Sequence, residues 1–170
     1  MSGGNASPGG TLPVLGTNWP PGAAITISWP DGTQVATADA QPDGRFATVI
    51  HVPQTALVGS FKITASGGGL TATADVVIAY SPSLSVVATF PPRSGASVPY
   101  TGSGWPPNSN YSLLFDGTVI SGGVTSSTGA LMGPAGASPV FTVPANAKAG
   151  AHTVTVTSGS YNASASLTTQ

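Results

Sequence analysis

Proton transfer or metal ligation in this chain would have to begin at its two histidines, His51 and His152, or at its five acidic residues, all of them aspartate. Neither histidine has an acidic or histidine neighbour in sequence, and a metal site needs several ligands brought to one point. His51 falls opposite the inward positions of an alternating segment, where a strand residue meets solvent. His152 stands at a position expected to face the core, so an imidazole with one edge in water is weighed there against a ligand. Asp31, Asp43 and Asp116 each precede glycine. Asp-Gly is a preferred type I′ hairpin pair, so turn chemistry accounts for all three. Calcium would need more oxygens than they supply. No Gly-x-Ser-x-Gly elbow, glycine-rich phosphate loop with lysine, or His-x-x-x-His pair occurs, and each of those reactions depends on its motif. No catalytic residue, metal site or cofactor is assigned, and the chain is expected not to be an enzyme.

Trp19 and Trp105 are the other candidates, because exposed loop aromatics anchor sugars and partner proteins. Both occupy one recurring turn. Gly16-Thr17-Asn18-Trp19-Pro20-Pro21-Gly22 returns as Gly102-Ser103-Gly104-Trp105-Pro106-Pro107-Asn108. In the second reading each tryptophan covers the end of a core while the prolines set the turn, and recurrence in matched surroundings favours that reading. Binding residues therefore stay unassigned. Asn5, Asn110 and Asn162 each begin a glycosylation triplet, and without a secretory signal these are read as chance matches.

The elements that carry these residues are strands. Ile25, Ile27 and Trp29 alternate with polar residues, as do Phe46, Thr48, Ile50 and Val52, the period of a half-buried strand. Turn signals arrive every 8–12 residues or so, the spacing of a β-sandwich. Pro13 and Pro99 point to edge strands, since proline cannot donate to a ladder. In the second copy Tyr111, Leu113 and Phe115 answer Ile25, Ile27 and Trp29, and His152 answers Phe61. Val143-Pro144 answers Val52-Pro53, and Ala147 with Gly150 answers Ala56 with Gly59. The repeat divides the chain into a flexible leader, residues 1–10, a first domain, 11–80, and a second, 81–170. Leu84–Phe90 has no counterpart before Thr11, so the first domain is expected to lack its opening strand and to present an open sheet edge. A short insertion in the second copy centres on Gly133–Ser138.

Charged residues make up 5% of the chain, against roughly 25% in an average soluble domain. Such a surface has no footprint for nucleic acid or an anionic membrane. There is no cysteine, so no disulfide supplements the core. The regular placing of glycine and proline at turns, with β-branched residues between, speaks for folding rather than disorder. No apolar run is long enough to span a bilayer. The first ten residues lack the basic start and apolar run of a signal peptide, and with Met1 as the native start the chain is expected to be made in the cytoplasm.

Gly102-Ser103-Gly104-Trp105-Pro106-Pro107 and Val52-Pro53-Gln54-Thr55-Ala56-Leu57-Val58-Gly59 resemble the turn and crossover of bacterial and phage immunoglobulin-like domains of the IPT/TIG kind. The resemblance runs from residue 11 onward and implies an all-β chain of two tandem immunoglobulin-like β-sandwich domains. That fold hosts many roles. With the low charge and missing signal, it implies a virion accessory protein of a tailed phage, a capsid decoration or tail-associated protein. Its expected partners are capsid or tail proteins or further copies of itself, with a surface glycan as another candidate. The alternatives are a bacterial cell-surface or filament adhesion module and a carbohydrate-binding accessory module.

Overall fold

The computed structural model describes the backbone of residues 1–170 and every side chain except that of Pro134. The chain divides into two compact units, Met1–Tyr80 and Ser81–Gln170.

Unit 1 contains β1 (Asn5–Ala6), β2 (Thr11–Gly16), β3 (Ala24–Ser28), β4 (Gln34–Asp39), β5 (Phe46–His51), β6 (Gly59–Gly67) and β7 (Leu70–Ile78). One sheet runs β1-β7-β6-β3-β4 and the other pairs β2 with β5. Alternation sends Leu12 and Val14 of β2 and Phe46 and Ile50 of β5 inward, against Ile25, Ile27, Ile63, Val76 and Ile78 of the larger sheet. Each such side chain contributes about 1.5–3 kcal/mol on full burial. Unit 2 contains β8 (Ser85–Val86), β9 (Ser97–Thr101), β10 (Asn110–Phe115), β11 (Thr118–Val124), β12 (Val140–Thr142), β13 (Gly150–Ser158) and β14 (Tyr161–Thr169). Its sheets run β11-β10-β13-β14 and β12-β9-β8, around Val98, Tyr100, Leu113, Phe115, Phe141, Val154 and Val156. Among the described residues no helix is long and apolar enough to cross a membrane.

The recurring turn does the same work in both units. The Trp19 N–H donates to the Gly44 carbonyl at 3.0 Å, and the Trp105 N–H to that of Gly129 at 3.1 Å. The indoles lie at 4% and 1% exposure, so both tryptophans belong to the cores. The turn needs left-handed backbone at two places, and the copies meet that need with the residues exchanged. Asn18 and Gly104 share the first place, at φ 65° and 76°. Gly22 and Asn108 share the second, at φ 74° and 50°. Glycine and asparagine are the residues that tolerate this region.

Residues 1–10 are not a leader outside the fold, and unit 1 does not lack an opening strand. β1 lies parallel to β7, with Asn5 opposite Val77 and Ala6 opposite Ile78. Ser2 forms a bridge to Leu15 of the other sheet. The opening segment thus pairs first with one sheet and then with the other. Unit 2 follows the same path, β8 pairing with β9 and the Gln170 N–H reaching the Pro92 carbonyl at 3.2 Å, as the Ala79 N–H reaches that of Ala6 at 2.9 Å. These contacts are made by backbone, so alternation of side chains does not announce them.

Unit 2 differs from unit 1 in having a polar thread through its core. The Tyr100 hydroxyl donates to that of Tyr111 at 2.9 Å, and Tyr111 donates in turn to the Met132 carbonyl at 2.7 Å. The order follows from acceptor count, because a carbonyl can only accept. Burial pushes the Tyr100 phenol's pKa up. Met132 leads into the inserted loop, where the Gly133 N–H donates to the Ala137 carbonyl at 2.9 Å. The insertion is therefore tied into the core at its base.

Candidate interaction surfaces

Each small sheet turns an outer face to solvent, and the two faces match. In unit 1 the outward positions pair as Thr11 with His51, Pro13 with Val49, and Leu15 with Ala47. His51 is exposed there, as its alternation requires. In unit 2 Thr142 pairs with Ser97, and Val140 with Pro99. The Val87 N–H adds to that row by donating to the Pro99 carbonyl at 2.9 Å. Val49 and Val140, equivalent in the repeat, are 50% and 52% exposed. Neither face carries an Asp, Lys or Arg. Pro13 lies on β2, an edge strand as expected, whereas Pro99, also expected at an edge, lies on β9, the central strand of its sheet. Each pairing sets a half-exposed valine across from a proline, leaving apolar surface in contact with water.

A second feature is also built twice. In unit 1 the end of β3 and the crossover before β6 flank an open cavity of about 300 Å3 lined by Trp29, Pro30, Asp31, Leu57, Phe61 and Ile78. Its counterpart in unit 2, about 370 Å3, includes Phe115, Asp116, Asn146, Lys148 and His152. Trp29 and Phe61 stack at 6.4 Å between centroids and 29° between planes, while Phe115 and His152 approach to 4.6 Å. The same position therefore holds an aromatic pair in one unit and an aromatic beside an ionisable ring in the other.

His152 is better defined than its sequence neighbours suggest. Its Nδ1–H donates to Asp116 Oδ2 at 2.6 Å, and its Nε2–H to the Lys148 carbonyl at 2.8 Å. Thr169 Oγ1 lies 3.0 Å from Nε2 and gives its own proton to that carbonyl at 2.7 Å. Both ring nitrogens thus face acceptors, which calls for the imidazolium form. Asp116 also accepts the Thr153 N–H on Oδ1, at 2.9 Å. The Asp116 hydrogen bond raises the pKa of His152, and the same bond, followed by that from Thr153, lowers the pKa of Asp116. This pair joins the β10–β11 turn, the crossover and β14. By those hydrogen bonds it is a clip between strands.

The remaining aspartates depart in one respect from expectation. Only Asp116-Gly117 takes left-handed φ at both residues, at 46° and 81°, as type I′ requires. Asp31 and Asp43 instead cap their own turns, accepting the Thr33 N–H at 2.8 Å and the Arg45 N–H at 3.0 Å. Glycine alone takes the positive φ in those two turns.

No family model matches the chain, and no curated protein matches it. Among solved structures, a tetra-tandem repeat in the extending region of a large adhesion protein is 20% identical, covering 99% of this chain and 49% of that one, with a TM-score of 0.38. A Bacteroides ovatus glucan-locus protein, SGBP-B in complex with a mixed-linkage heptasaccharide, is 16% identical over 97% of this chain and 42% of its own, at TM-score 0.40. The chain thus spans half or less of both. A structure of consecutive titin domains is 9% identical over 98% of this chain and 62% of that one, with a TM-score of 0.52. At that identity the likeness bears on fold alone, and it agrees with the strand order: the chain is a tandem of immunoglobulin-like β-sandwiches.

Proposed function

We propose that this chain is a non-catalytic docking protein whose two sandwiches bind a repeating protein surface, as a virion accessory protein of a tailed phage would. The observation that carries the reading is the duplication of one apolar outer pairing, Pro13 with Val49 in unit 1 and Pro99 with Val140 in unit 2. A chain offering the same patch twice fits a partner that offers the same site many times, and two weak contacts then add as avidity. Low charge suits such contacts, since the core of an interface is depleted in charged residues. The titratable groups support it too. The His152–Asp116 pair is spent on holding strands together, and catalysis needs groups that converge on a substrate with capacity to spare.

Quantitative mass spectrometry of purified virions and of cell-envelope fractions, from cells that encode the chain, tests the assignment. Many copies per virion are expected. Recovery in the envelope fraction alone refutes the virion role and leaves a surface-adhesion module.

A further inference from the structure

The docking faces leave the cavity of unit 1 unexplained. We infer that this cavity binds one neutral sugar residue of a glycan, with a C–H face of the ring against Trp29 and a hydroxyl donated to Asp31.

Four observations lead there. First, the volume of about 300 Å3 lies at the lower end of the range for small-molecule sites. Second, its aromatic wall is left partly wet. Trp19, Phe46, Trp105, Phe115 and Phe141 are all buried, whereas Trp29 and Phe61 are only half-buried although they pack against the core of unit 1. Third, the fold does not impose that exposure. Unit 2 places a buried Phe115 where Trp29 stands, with the His152–Asp116 clip beside it in a cavity of similar size. Unit 1 has Phe61 in place of His152 and hence no such clip. Fourth, the one charged group in the lining is Asp31. One of its oxygens takes the Thr33 N–H, and the carboxylate keeps lone pairs for a further donor.

These features select the ligand class by elimination. An anion is repelled by Asp31. A metal ion needs more oxygens than one carboxylate supplies. An apolar side chain would fill the aromatic wall but offer no donor to Asp31, which is exposed at the rim. A neutral sugar offers an apolar face for the indole and a hydroxyl for the carboxylate, and an O–H···O⁻ bond is among the stronger hydrogen bonds. The site lies on different residues from the docking faces, so its failure leaves the docking proposal standing.

The full chain is screened on an array of neutral hexose and N-acetylhexosamine oligosaccharides. The best-scoring oligosaccharide is then titrated while amide and indole NMR signals are followed. Saturable shifts are expected at the Trp29 indole, Leu57 and Phe61, with no shift at Trp105. D31N is expected to weaken binding about tenfold, the share of one charged hydrogen bond. W29F, which copies unit 2, is expected to weaken it as well, and W29A to abolish it. Retained dispersion of the unit 1 signals confirms that D31N and W29F stay folded. Absence of saturable shifts with every oligosaccharide overturns the inference. So does wild-type affinity in both D31N and W29F, or stronger binding of N-acetyl-leucinamide than of any sugar, which would make the cavity a socket for apolar side chains.

Discussion

Replacing Tyr111 by phenylalanine should cost more than replacing Tyr100, and more than replacing both. Tyr100 ends the thread as a donor only, so Y100F removes one hydrogen bond and leaves Tyr111 still bonded to Met132. The loss is about 1 kcal/mol. Y111F removes the middle of the thread. The Tyr100 hydroxyl, on a residue at 2% exposure, is left without its acceptor, and the Met132 carbonyl loses its donor. Each unsatisfied buried group costs about 1–3 kcal/mol, so Y111F, which strands two, should lose about 2–6 kcal/mol. The double variant removes the stranded Tyr100 hydroxyl and strands only the Met132 carbonyl, giving a loss of about 1–3 kcal/mol. Urea titrations of the full chain, read by NMR signals from unit 2, give the three values, and the coupling follows from the cycle. In a domain of this size each kcal/mol also moves the melting temperature by about 4–8 °C. If the double variant is less stable than Y111F, with losses that add, the thread does not exist as described.

Three further perturbations separate other parts of the account. At Gly129, φ is 76° and an added Cβ would run into the Trp105 carbonyl, so G129A should cost more than the roughly 1–2 kcal/mol of left-handed backbone alone, measured by urea denaturation. The His152 clip should act over a definite pH window, read by melting temperature against pH and by NMR titration of the imidazole. Its folded pKa is raised, so its contribution is complete below the unfolded value of about 6.5 and lost as pH rises through the folded value. Asp116, lowered, contributes above about 3.9 and loses that contribution as pH falls through its own folded value. H152F, the unit 1 residue at this place, should flatten the alkaline limb. Finally, deleting residues 1–6 should turn the Val77 and Ala79 amides from slow to fast hydrogen exchange, because their acceptors are the Gly4 and Ala6 carbonyls. Unchanged protection there would contradict the β1–β7 pairing.

The strands and their inward faces could be read from the sequence wherever side chains alternate. Ile25, Ile27, Phe46 and Ile50 face inward as their spacing demands. The Trp-Pro-Pro turn marked the repeat, and its role as a core cap followed from the recurrence. β1 escaped because Asn5 and Ala6 contribute backbone bonds and little apolar area, which composition does not record. The partner of His152 escaped because Asp116 lies 36 positions away on another hairpin. The repeat did carry a signal, since a histidine replaces Phe61 at an inward position. The apolar rows of Pro13 with Val49 and Pro99 with Val140 depend on register between strands distant in sequence. An edge proline could be read from Pro13, but its neighbour across the sheet could not.

Hydroxyl-radical footprinting of the free chain and of the chain within its native assembly tests the docking claim most directly. Leu15, Pro13 and Val49 of unit 1 and Val87, Pro99 and Val140 of unit 2 should be oxidised in the free chain and protected together in the assembly, while Leu70 and Val119, exposed elsewhere, remain reactive. Equal oxidation of those two faces in the free and assembled states would contradict the claim.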